Sequence, residues 1–120
     1  MDISVIILSY NGKELVRDCL NSIFSAQGVP MLLDAGRSVS SHRSGSASGG
    51  QNIGGIEFEV FVVDNASVDG TTGTVRAEFP GVRLIENNKN LGFAKANNLA
   101  IKEAKGDFVL LLNQDMRALA

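Results

Sequence analysis

Val60-Phe61-Val62-Val63-Asp64-Asn65 passes from β-branched and aromatic residues straight into two polar ones. Such a run fits a strand buried on both faces. Three more runs end the same way: Ile3–Leu8 before Ser9-Tyr10-Asn11, Val82–Ile85 before Asn87–Asn90, and Phe108–Leu112 before Asn113-Gln114-Asp115. As parallel strands of one sheet they bring all four polar clusters to one edge. Open α/β sheets bind ligands at that carboxyl edge. Clusters of amides and carboxylates there suit a nucleotide with a metal.

The segments between the runs read as helices. From Lys13 to Ala26, Leu15, Val16, Cys19, Leu20, Ile23 and Phe24 recur at spacings of one, three and four, an amphipathic pattern. Gly70 to Phe79 reads as a short helix ended by Pro80-Gly81. Phe93, Ala96, Ala100 and Ala104 mark one face of a helix from Gly92 to Lys105, with Gly106 placed as its C-cap. Strand and helix alternate throughout. The expected fold is α/β, a Rossmann-like parallel sheet with helices on both faces.

Composition narrows the class. At 120 residues the chain is one domain, and 44% apolar residues are enough for a core. A net charge of −2 offers no basic footprint for nucleic acid or an anionic membrane. Cys19 is the only cysteine, so no intrachain disulfide forms, and its helical setting marks it as a core residue. No apolar run approaches the roughly 20 residues of a membrane span. The amino-terminal run reads as a strand, not a signal peptide. The stretch from 36 to 55 breaks the rhythm: six Ser and six Gly leave almost no large apolar residues to bury, so it reads as a flexible inserted loop. His42, the only histidine, lies in it without metal-ligand spacing around it.

The clusters carry the chemistry. Asn65, Ser67, Asp69 and Gly70 imitate the start of a calcium loop, but Arg76 stands where its closing Glu is required, which excludes that reading. Asp64 at the strand tip can instead accept hydrogen bonds from a base or ribose, while Asp69 or Ser67 caps the next helix. Asn90 can cap the helix that follows it, and Gly92 permits close backbone approach to a phosphate, which Lys95 could reach one turn in. The stretch is neither a Walker A loop nor a dinucleotide fingerprint. Asp115, just past a buried strand, can hold Mg²⁺ or Mn²⁺ against a diphosphate.

Taken together, Val5–Asn11, Leu20-Asn21-Ser22-Ile23, Val62–Thr71, Asn87–Asn98 and Leu110–Asp115 resemble the amino-terminal, nucleotide-binding half of a family 2 glycosyltransferase with the GT-A fold. Asn90-Leu91-Gly92-Phe93 followed by paired Asn97-Asn98 is similar to the rhamnosyltransferase-like branch. The resemblance implies an inverting, metal-assisted transfer from a UDP- or dTDP-sugar to a saccharide or lipid-linked acceptor, in cell-wall or polysaccharide biosynthesis. It implies that Ser9, Tyr10 and Asn11 flank the nucleoside, and that Asp64, beside Asn65, accepts from the base. Asn90, Gly92 and Lys95 would line the pocket, and Asn113–Asp115 would replace the family's acidic metal motif, with Asp115 as ligand. It further implies a general base and acceptor site beyond residue 120, a cytoplasmic place reaching to the inner face of the membrane, and self-association through the sheet surface a second half would cover. A non-catalytic nucleotide-sugar-binding module is the alternative.

Overall fold

A computed structural model describes residues 2–25, 39–41, 51–53 and 56–114. Its elements, in chain order, are β1 (Ile3–Ser9), α1 (Lys13–Ile23), β2 (Val39–Ser41), β3 (Gln51–Ile53), β4 (Ile56–Asp64), α2 (Thr71–Glu78), β5 (Arg83–Glu86), α3 (Gly92–Glu103) and β6 (Phe108–Asn113).

The four expected strands form the parallel core of one sheet, ordered β5, β4, β1, β6. Val5, Ile6 and Ile7 at its centre are fully buried. Each such side chain contributes about 1.5–3 kcal/mol relative to exposure. Alternation along the strands sends successive side chains to opposite faces. Ile3, Val5, Ile7, Phe58, Val60, Val62, Leu110 and Leu112 meet α1 and α2 on one face; Ile6, Phe61, Val63 and Val109 meet α3 on the other.

The helices bury what their spacing predicts, with exceptions. Val16, Cys19, Leu20 and Ile23 form the inward stripe of α1. Ala96, Ala100 and Ala104 bring the other face close to α3 and its carboxyl end. Leu15 and Phe93, assigned to core faces from their spacing, are instead 46% and 55% exposed. Phe24 packs on Phe58 and Phe79 with ring centroids 5.9 and 6.2 Å apart, closing the end of the core remote from the polar clusters.

Two expectations change. The 36–55 stretch contributes β2, antiparallel to β6, and β3, antiparallel to β4, so the sheet has six strands among the described residues rather than four. Edge pairing asks only for backbone N–H and C=O groups, which a Ser/Gly chain carries in full. The remainder of that stretch, His42 included, lies outside the described residues. Gly106 is not a left-handed cap: α3 ends on Ala104 in an extended conformation. Glycine is needed at 106 because a Cβ would stand 2.4 Å from the Ser4 nitrogen and 2.5 Å from the Ile3 carbonyl carbon. The Gly106 N–H instead donates to Ser4 Oγ, which donates to the buried Glu59 carboxylate.

Candidate functional site

The sheet places a cleft where its topology predicts one. β1 continues into α1, on one face, and its neighbours β4 and β6 lie on opposite sides of it. The strand order therefore reverses at β1, and ligands of open α/β sheets bind at that switch point. The strand ends are level, with Ser9 beside Asp64, Asp64 beside Glu86, and Leu8 beside Asn113. Above them opens a cleft of about 520 Å³. Ser9 and Tyr10 from β1, Asn65 after β4, Asn90, Gly92 and Phe93 around the start of α3, and Asn113 and Gln114 from β6 line it, with Leu15 from α1.

A mesh of side-chain bonds to backbone holds these loops. The Asp64 carboxylate is 2% exposed and faces inward. It accepts from Ser9 Oγ at 2.7 Å, Ser67 Oγ at 2.5 Å and Ser67 N–H at 2.8 Å. Ser67 Oγ in turn accepts from Asn11 N–H, and Asn11 Oδ1 accepts from Val68 N–H, both at 2.8 Å. These bonds hold Asn11 and Ala66 at φ of +47° and +67°, a region where a non-glycine residue needs outside support. Asn65 does the same work toward α3: its Oδ1 accepts from Asn87 Nδ2 at 3.0 Å and Leu91 N–H at 3.3 Å, and its Nδ2 donates to the Gly92 carbonyl at 3.4 Å. Asn90 Oδ1 accepts from Gly92 N–H at 2.8 Å, but Asn90 is not the expected cap: Leu91 holds the N-cap position of α3, without a side-chain cap bond, and Asn90 supports the turn one residue earlier.

Asp69 joins two helices rather than capping one. Its Oδ2 accepts from Lys13 N–H at the start of α1, and its Oδ1 from Thr71 N–H and the Thr71 hydroxyl at the start of α2. The Thr71 hydroxyl bond is the largest cause holding its carboxyl below the usual aspartate range; burial opposes it, and the Lys13 and Thr71 N–H donors add smaller lowering effects. Two helix amino termini favour the same anionic charge.

The cleft gathers six of the residues expected from the sequence: Ser9, Tyr10, Asn65, Asn90, Gly92 and Asn113. Asp64 and Asn11 stand behind or beside it as loop supports, not in its lining. Lys95 lines a separate depression of about 370 Å³ along α3, beside Asn98 and Lys102. Asp115 lies outside the described residues. Among the described residues no group of three or more His, Cys, Asp or Glu forms a metal cluster. Leu15, Phe93 and Gln114 were missed. The first two were hidden because their spacing also fits a buried stripe; Gln114 is visible only as one amide in a run of polar residues.

The polar part of the lining is mostly carboxamide: Asn65, Asn90, Asn113 and Gln114. Carboxamides donate and accept at once, which matches the edge of a nucleobase or a sugar hydroxyl, and Tyr10, Leu15 and Phe93 add an exposed apolar wall.

A family model for glycosyl transferase family 2 matches residues 4–119. The chain belongs to that family. Among its relatives, the poly(ribitol-phosphate) beta-N-acetylglucosaminyltransferase TarS of Staphylococcus aureus is 30% identical over 119 residues, which is 96% of this chain and 16% of TarS. The crystal structure of S. aureus TarS in complex with UDP superposes with a TM-score of 0.64 at 28% identity, over 96% of this chain and 28% of that one. The mannosyltransferase PcManGT from Pyrobaculum calidifontis, in complex with GDP-Man and Mn²⁺, gives a TM-score of 0.65 at 29% identity, over 94% and 27%. This family 2 chain therefore has the GT-A architecture, and it spans about a sixth of the TarS sequence. Among its described residues, no helix is long and apolar enough to cross a membrane.

Proposed function

We propose that this chain is the donor-binding portion of an inverting glycosyltransferase that moves a sugar from a nucleotide-diphosphate sugar to an acceptor hydroxyl. The observation that carries the reading is the amide-lined cleft at the switch point of a family 2 fold. UDP, UDP-GlcNAc and GDP-Man in the solved structures of its neighbours support a nucleotide-sugar ligand. On this reading the base stacks near Tyr10 and bonds to the carboxamide edge, and the diphosphate lies toward Gly92 and Asn113. UDP or dTDP remains the expected carrier.

The end of β6 fits a divalent cation by its chemistry. Asn113 is exposed, lies level with Leu8 on the carboxyl edge and lines the cleft with a carboxamide; in the sequence Asp115, outside the described residues, follows two positions on. Oxygen donors of this kind suit Mg²⁺ or Mn²⁺ completed by phosphate oxygens. When bound, the cation supplies positive charge against the departing diphosphate. The chain's own part is to bind and orient the donor. Inversion requires the acceptor hydroxyl to approach the face opposite the diphosphate and to lose its proton to a base. We place that base, the saccharide or lipid-linked acceptor and a cytoplasmic, membrane-facing location with the whole enzyme, and expect the isolated chain to self-associate.

One observation favours a second reading, a non-catalytic nucleotide-sugar-binding module. No described residue lining the cleft carries a carboxylate or an imidazole. Calorimetric titration of the chain with UDP, dTDP and GDP, each with and without Mn²⁺, tests the shared core of both readings. Metal-enhanced binding of one nucleotide is expected; a folded chain that takes up none refutes both. Turnover by a longer form of the protein separates them.

A further inference from the structure

Backbone pairing between β1 and β6 runs from Ile3 beside Phe108 to Leu8 beside Asn113 and then ends. Just past that end, a side chain continues the link. Tyr10 N–H donates to Gln114 Oε1 at 2.9 Å, and Gln114 Nε2 donates to the Tyr10 carbonyl at 3.2 Å. A carboxamide bonded in both directions to one residue's backbone imitates the partner that a neighbouring strand would supply.

Gly12 supports the same reading. Its φ of −131° is open to any residue, so conformation does not call for glycine there. What glycine leaves is room for Gln114: a Cβ at position 12 would lie 2.4, 2.5 and 2.6 Å from the Gln114 carboxamide atoms, so that flexible side chain would have to swing away. The Tyr10 residue is 48% exposed, so packing alone does not hold its loop in place. Tyr10, Asn113 and Gln114 all line the cleft.

We propose that Gln114 is a positioning residue: its carboxamide locks the Tyr10 segment to the end of β6, so that the Tyr10 ring and Asn113 face one donor, and Gly12 leaves the room it needs. The inference rests on the donor-binding reading above, but its structural half is tested without any ligand. Tyr10 is the only tyrosine and the chain has no tryptophan, so ultraviolet-excited emission reports that residue alone.

The experiment compares the parent chain with Gln114→Met, which keeps bulk and loses the amide, and with Gln114→Ala, Gly12→Ala and the double variant Gly12→Ala/Gln114→Ala. In the free proteins, acrylamide should quench Tyr10 emission more strongly in Gln114→Met and in Gly12→Ala than in the parent. UDP affinity by calorimetry should fall about tenfold in Gln114→Met, the worth of two modest net hydrogen bonds. Gly12→Ala should weaken UDP binding in the parent and cost nothing further beside Gln114→Ala, because the collision partner is gone; a general folding defect would persist in both backgrounds. Parent-like quenching in Gln114→Met overturns the clamp. Raised quenching with unchanged UDP affinity overturns its role toward the donor. A parent chain that binds no UDP, dTDP or GDP refutes the donor reading itself and with it the positioning role, while the quenching series still decides the clamp.

Discussion

Asp64→Ala removes one carboxylate that three donors share: Ser9 Oγ, Ser67 Oγ and Ser67 N–H. A hydrogen bond to a charged group contributes about 1.5–3 kcal/mol net. The two hydroxyls can turn elsewhere, but the Ser67 N–H cannot, so the loss should come to about 3 kcal/mol rather than the full sum. That is a large share of the roughly 5–15 kcal/mol a domain possesses. With a urea slope near 1.5 kcal/mol per molar, the unfolding midpoint should drop by about 2 M at unchanged slope. Far-UV circular dichroism in urea reads it directly. Nucleotide binding should weaken as well, since Ser67 carries Asn11 and the loop beside Tyr10. A midpoint within about 0.3 M of the parent, together with lost UDP binding, would refute this reasoning and make Asp64 a ligand contact.

Asp69 should shape the acid limb of stability. Its folded pKa lies below its unfolded one, so its contribution is fully present above the unfolded value and is lost as pH falls through the folded value. Urea midpoints measured downward from about pH 5 should fall more steeply for the parent than for Asp69→Asn. Phe93→Ala, at an exposed residue of the cleft, should move stability by no more than about 0.5 kcal/mol yet weaken UDP binding severalfold, which melts and calorimetry together would show. Gly106→Ala and Gly92→Ala should differ in kind. The first forces a Cβ against β1 backbone and should cost about 1–3 kcal/mol or more. The second meets open space and carries only the strain of φ +81°, about 1–2 kcal/mol, so a Gly106→Ala variant as stable as the parent would count against the packing described for Gly106.

The parallel core was legible because burial on both faces leaves a direct mark, a run of four or more successive apolar residues, and β1 (Val5–Leu8), β4 (Val60–Val63) and β6 (Phe108–Leu112) all carry one. The site's position followed, since topology alone puts Ser9, Asn65, Asn90 and Asn113 on one edge. What escaped was whatever depends on backbone or on distant partners. β2 and β3 pair through main chain and need no apolar side chains; the Gly54-Gly55 pair between β3 and β4 was the available hairpin signal. Gly106 looks like a cap in sequence, because only three dimensions bring Ser4 beside it. The spacing of Phe93 in a helix says which face it shares with Ala96 but not that this face ends at the sheet rim, where Phe93 overhangs the cleft. Gln114 meets a partner 104 residues earlier, and nothing local announces that contact.

Asn11 with Val68, Asn65 with Leu91, Asp69 with Lys13, and Gln114 with Tyr10 are bonds between different loops, each from one side chain to another loop's backbone. Loops stitched together in this way do not drift one at a time. A change at any stitch shifts its neighbour's main chain, so the polar rim can vary only in concert, through compensating pairs. Tyr10, Leu15 and Phe93 are different, for their side chains stand partly exposed on the cleft and bear none of the stitching. A lineage that needed a new donor would find its freedom in those three positions, exchanging the wall of the pocket while the frame stayed as it was.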